Sequence, residues 1–163
     1  MNLEKLASEY INGSEKAFDI IYKETVSFVR VAIYQYVSDP DVIDDLVQDT
    51  YMKVINNIKN YQNKNINNWL FTIAKNTALD YVKKKKESKI DDISIIPDRI
   101  KLPYLNYAIE HLDELERNVF LFKVLCGYTT KKIAKLLDLK ISLVNKLFYQ
   151  AKAKLKKELE DLQ

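Results

Sequence analysis

Phe18, Ile21, Tyr22, Thr25, Phe28, Val29, Ala32, Ile33 and Tyr36 recur at intervals of three and four, and that spacing leaves little choice of fold. On a helix such positions share one face; on a strand, where side chains alternate, they would scatter to both. The period returns in Ile43, Leu46, Val47, Tyr51, Val54, Ile55 and Ile58, and again in Trp69, Leu70, Ile73, Ala74, Thr77 and Tyr81. Only two glycines and three prolines interrupt 163 residues, so helices joined by short turns are expected nearly throughout. The predicted fold class is all-α.

A short helix, Leu3–Ile11, is expected first, then a break at Asn12-Gly13-Ser14 with Ser14 as candidate cap. Asp39-Pro40 reads as a fresh start, an acidic cap followed by proline where its missing N–H does no harm. The Asn-rich turn YQNKNINN precedes a fourth helix that ends in the lysine run Lys83–Lys86. Four helices with short joins, over residues 1–86, can enclose one core. Residues 87–102, ESKIDDISIIPDRIKL, hold no period and contain Pro97, so they read as a linker.

Residues 103–163 form a second, smaller unit in this reading. Asp113 with Glu116 three residues on has the capping-box pattern, and Gly127 closes that helix. A short helix, Thr130–Leu137, the turn Asp138-Leu139-Lys140 and a long helix running to about Glu160 read as a helix-turn-helix.

Composition bounds the function. With one histidine and one cysteine, the chain cannot supply a zinc site and a separate Cys–His pair, and two isolated glycines make no phosphate loop. No catalytic activity, metal or cofactor is expected, and His111 reads as a solvated helix residue. No apolar run reaches the roughly 18 residues of a spanning helix, and the N-terminus MNLEKLASEY lacks the apolar core of an export signal. The lone Cys126 cannot close an internal disulfide; a reducing cytoplasm and no membrane insertion are expected.

Charge is distributed unevenly for a chain of formal net charge +3. Asp39 to Asp49 holds five aspartates and no cation, whereas Thr130 to Lys157 holds nine lysines against Asp138 alone, a balance of +8. Asp39 and Asp41 suit a helix N-terminus. Asp45 and Asp49 do not share that reason: like charges one turn apart destabilise a helix by about 0.2–0.5 kcal/mol. They are either a solvated face or a surface for a basic protein partner. The lysines beside the helix-turn-helix are either a solvated amphipathic face or a phosphate-binding surface. On the long helix Val144, Phe148, Ala151 and Leu155 are spaced to face inward, with Asn145, Lys146, Tyr149, Gln150 and Lys152 outward.

VIDDLVQDTYMKVINNI, NNWLFTIAKNTALDYVKKK and LDELERNVFLFKVLCGYTTKKIAKLLDLKISLVNKLFYQAKAKL, in this order, resemble the sigma-70 family of bacterial RNA polymerase subunits, in the two-domain length of the extracytoplasmic-function (ECF) type. The resemblance covers roughly residues 15–86 and 104–158. It implies a region 2-like four-helix domain and a region 4-like helix-turn-helix domain. It also implies a promoter-specificity factor that binds core RNA polymerase and promoter DNA. In the family the DDLVQD-like helix docks on a coiled coil of the largest-subunit clamp, so Asp44, Asp45, Leu46, Gln48 and Asp49 would face protein. The flap of the second-largest subunit and an anti-sigma factor are the further partners implied. Tyr61, Asn67, Asn68, Trp69, Lys75, Asn76 and Lys83 would meet the −10 element, where aromatics stack on opened bases and amides read their edges. Thr129, Lys131, Asn145, Lys146, Tyr149, Gln150, Lys152 and Lys154 would meet the −35 element, with the last helix in the major groove.

The chain departs from the family pattern at that last helix. Asp138 and Lys140 stand where the family has Gly and Ser, so Ser142 becomes the candidate cap and a late helix start is expected. Leu143, Leu147 and Gln150 stand where Thr and two Arg are common. Without guanine-reading arginines, Asn145 and Gln150 predict a weak or A·T-leaning −35 preference. Two other functions fit the residues: a helix-turn-helix regulator that never joins polymerase, and a polymerase-binding protein whose last helix no longer reads DNA.

Overall fold

The computed structural model describes residues 2–62, 65–88 and 110–161, and its contacts divide the chain into two compact units, Met1–Ile95 and Ile96–Gln163. Most of the expected linker, from residue 89 on and including Pro97, lies outside the described residues, as do Asn63 and Lys64 of the Asn-rich turn. No strand occurs among the described residues, and no described helix is long and apolar enough to cross a membrane.

The first unit contains α1 (Leu3–Ile11), α2 (Glu15–Tyr34), α3 (Pro40–Asn57), a 3-10 turn (Ile58–Asn60) and α4 (Ile66–Glu87). The central helix is α2, packed against the other three. Its inner face runs through Ile21, Thr25, Phe28, Val29, Ala32 and Ile33, all buried, as the period predicts. Tyr22 departs from that prediction: it is 41% exposed at the flank, its ring 4.7 Å from that of Tyr51. The Thr25 hydroxyl is shared with the Tyr51 hydroxyl at 2.7 Å, which satisfies a polar pair buried between α2 and α3.

On α4 the inner face is turned slightly from the expected one. Ile66, Leu70, Phe71, Ala74, Thr77 and Ala78 are buried, and Phe71 lies 5.9 Å from Phe28 of α2. Trp69, Ile73 and Tyr81, expected inward, are half-buried. The reason is that α4 touches both α2 and α3, so its centre line follows Leu70 and Ala74 and leaves Trp69 and Ile73 at the solvent edge.

Caps place the helix starts, with three corrections. Asn2 and Asp39 accept amide hydrogens of α1 and α3 as N-caps do. Ser14 occupies the N-cap position of α2, but its side chain makes no capping bond. In the second unit α5 (Glu114–Val124), α6 (Thr130–Leu137) and α7 (Ile141–Asp161) bury Val119, Leu121, Phe122, Ile133, Val144, Ala151 and Leu155. The capping box expected at Asp113 is absent: neither carboxylate caps α5, because Lys154 of α7 takes both Asp113 and Glu116. Gly127, at φ +62°, turns the chain so that the Tyr128 amide donates to the Phe122 carbonyl at 3.1 Å. Asp138 takes a left-handed conformation, φ 56°, and the Leu139 amide closes on the Ala134 carbonyl. With the turn completed there, α7 begins at Ile141, and Ser142 lies inside its first turn instead of capping a late start.

Candidate docking and nucleic-acid interfaces

On α3 the buried positions Ile43, Leu46, Val47, Thr50, Tyr51 and Val54 leave Asp45, Gln48, Asp49 and Met52 on the opposite side, all exposed. Leu46 was expected on the docking face; it is 5% exposed and belongs to the core, since it follows Ile43 by three and precedes Thr50 by four. Asp44 is paired with Arg30 of α2, which blunts its charge. No hydrogen bond or ion pair holds the Asp45 or Asp49 carboxylate among the described residues. Two repelling carboxylates with no cation of their own, and a methionine 57% exposed one turn on, do nothing for the stability of the helix. Met52 was missed by sequence reasoning, although its three- and four-residue spacing from Asp49 and Gln48 was the available signal.

Where α3 and α4 run side by side, Lys53, Asn57, Asn60, Trp69, Ile73 and Asn76 line a depression of about 330 Å³. Three carboxamides, an ammonium and an indole around so small a space match one unstacked base: a flat apolar wall and edge-reading donors and acceptors. Lys53 is steadied by the Thr77 hydroxyl at 3.0 Å, with Asp80 3.8 Å away. Tyr61 does not line the depression; its ring lies 5.1 Å from that of Trp69 and extends the aromatic wall. Of the expected residues, then, Tyr61, Trp69 and Asn76 are brought together here. Asn67, Asn68, Lys75 and Lys83 are not in the lining. Lys53, Asn57 and Asn60 were missed.

The amino end of α4 is closed from within. The Asn65 amide donates to the Tyr61 hydroxyl at 2.9 Å, and the Ile66 amide to Glu4 Oε1 at 2.7 Å. The amides of Asn67 and Asn68 donate to Asn65 Oδ1 at 3.1 and 3.2 Å. All four amides that a helix start leaves open are thereby used, so this end has no free donors for a phosphate.

In the second unit Thr129 caps α6 by accepting the Lys132 amide at 3.2 Å. The Thr130 hydroxyl accepts from Lys123 at 2.8 Å and donates to Asn145 Oδ1 at 3.2 Å, which ties α7 to the start of α6. Lys131, Lys146, Tyr149, Gln150 and Lys152 are exposed, Tyr149 to 67%. Lys154 differs: its ammonium donates to Glu116 Oε2 at 2.7 Å and to Asp113 at 3.3 Å. The hydrogen bond to Glu116 holds its pKa above the usual lysine value.

Residues 21–88 match the family described as Sigma-70 region 2, and residues 104–155 match Sigma-70, region 4, in the order the resemblance requires. The chain belongs to the sigma-70 family. Over 75 residues it is 35% identical to the ECF RNA polymerase sigma factor SigM of Bacillus subtilis (strain 168), a match spanning 45% of this chain and about half, 46%, of SigM. With the ECF sigma factor SigX of the same organism it is 21% identical over 165 residues, 90% of this chain and 85% of SigX. Its fold is that of CnrH, solved in complex with the cytosolic domain of CnrY, at a TM-score of 0.61 and 20% identity over 97% of both chains. The sigma factor RpoE of Bartonella quintana, solved with the anti-sigma factor NepR, gives 0.55 and 22% over 89% of this chain and 98% of that one. The protein is therefore a sigma factor of the ECF type, which directs promoter-specific initiation.

Proposed function

We propose that this sigma factor docks on core RNA polymerase through Asp45, Gln48, Asp49 and Met52 of α3, against the coiled coil of the largest-subunit clamp. Asp44 contributes less because Arg30 already neutralises it, and Leu46 acts only by fixing the helix from the core. A base of the opened −10 strand enters the depression between α3 and α4. There Trp69 supplies the stacking wall, Asn57, Asn60 and Asn76 read its edges, and Tyr61 continues the wall. Asn67, Asn68, Lys75 and Lys83 lie outside that space and serve the strand backbone at most.

The second unit, carried by the flap of the second-largest subunit, lays α7 in the major groove of the −35 element. Gln150 and Tyr149 reach bases, while Lys131, Lys146 and Lys152 hold phosphates. Thr129 and Asn145 position α6 and α7. Lys154 is engaged inside the unit and is left out of the phosphate set. An anti-sigma factor that masks these surfaces is the regulatory partner, by extension from RpoE, solved with NepR.

The observation that carries the reading is the pair of unpartnered carboxylates, Asp45 and Asp49, on a helix that also lines the base-sized depression. Run-off transcription from a promoter library by bacterial core polymerase plus this chain tests it. Transcripts should depend on the chain and fall with Asp45→Lys. DNA binding indifferent to polymerase would point instead to a stand-alone regulator.

A further inference from the structure

The first helix contributes a residue that neither charge pattern nor family resemblance singles out. Glu4, in the first turn of α1, reaches across to the join between the 3-10 turn and α4 and holds both of its ends. Its Oε2 accepts the Tyr61 hydroxyl at 2.7 Å and its Oε1 the Ile66 amide at 2.7 Å. The Tyr61 oxygen in turn accepts the Asn65 amide at 2.9 Å, and the Tyr61 ring lies 5.1 Å from Trp69. One carboxylate therefore sets where the aromatic wall stands and where α4 begins.

We infer that Glu4 is a positioning residue for −10 strand capture: it holds Tyr61 and the start of α4 so that the Tyr61–Trp69 wall is in place before a base arrives. This rests on the reading of the depression given above. A side chain held in its bound rotamer loses less freedom when the ligand docks, and that raises affinity without a new contact. The chemistry asks for a carboxylate. Both partners are donors, and an ionised acid offers an acceptor oxygen to each, whereas glutamine would turn an NH2 toward one of them.

The test uses holoenzyme reconstituted with core polymerase and two probes: a fluorescein-labelled pool of random ten-nucleotide single strands, and a random thirty-base-pair duplex. Glu4→Gln should weaken single-strand binding by about fivefold, within the span of one stacking contact, and leave duplex binding unchanged. Tyr61→Phe keeps the ring and removes the hydroxyl. If Glu4 works through that hydroxyl, the double variant should bind no worse than the weaker single one. Trp69→Ala separates the two levels of the argument. Loss of single-strand binding in Trp69→Ala with wild-type binding in Glu4→Gln overturns the role of Glu4 and keeps the depression. Wild-type binding in Trp69→Ala overturns both. Equal losses on single strand and duplex in Glu4→Gln, or fully additive effects with Tyr61→Phe, mark Glu4 as a general brace and overturn the inference.

Discussion

The ammonium of Lys154 lies 2.7 Å from the carboxylate of Glu116, a side chain 6% exposed, so a lysine in the most basic part of the chain neutralises a buried acid. Removing it would leave Glu116 without its counter-charge in a poorly solvated place. Lys154→Ala should therefore lower the urea midpoint of the second unit, and the slope of DNA affinity against salt should barely change.

Lys146→Ala and Lys152→Ala make the opposite pair. Both side chains are exposed and neither takes part in an ion pair among the described residues. Each should flatten the salt slope of duplex binding by about one unit, the signature of one phosphate contact, and move the urea midpoint little, Lys152 losing only an exposed cation–π contact 5.8 Å from the Phe148 ring centre.

Charge reversal on α3 reads docking directly. Asp45→Lys with Asp49→Lys should weaken binding to core polymerase by about tenfold or more, while melting temperature should hardly move because the reversal exchanges one like-charge pair one turn apart for another. Asp44→Lys should instead disturb the first unit through Arg30.

At the turn between α6 and α7, Asp138 stands at φ 56°, where a Cβ is unfavourable. Asp138→Gly should stabilise the second unit by roughly 0.5 kcal/mol, and Asp138→Val should cost about 1–2 kcal/mol, both measured by urea unfolding.

Burial pushes the Cys126 thiol up to about 11 from an ordinary 9.0, with Lys132 drawing it partly back. The unfolded chain then loses this proton first as pH climbs, so this thiol's contribution to stability is whole below pH 9.0 and declines toward pH 11. At pH 8 the folded thiol should react with iodoacetamide roughly tenfold more slowly than in urea, because its scarcer thiolate is only partly offset by greater nucleophilicity.

The helices were legible because their signals are local. Thr130–Leu137 is found where it was read, its start fixed by Thr129 and its end by the turn residue Asp138. The Asp113–Glu116 pattern misled because its outcome depends on Lys154, thirty-eight residues beyond Glu116. No local motif carries that distance. The depression was half legible for a similar reason. Trp69 and Asn76 stand out on α4, whereas Lys53 and Asn57 look like any wet side of α3 until α4 runs alongside. Leu46 was read two ways, inward by its period and toward a partner by the resemblance, and its 5% exposure follows the period.

The sealed start of α4 has a consequence for how an opened promoter is held. With its amides taken by Tyr61, Glu4 and Asn65, a melted strand held as proposed meets flat rings, carboxamides and the Lys53 ammonium instead of a row of free backbone donors. In the proposed complex few counter-ions are freed there, so salt that weakens duplex binding by α7 should spare the grip on the opened strand.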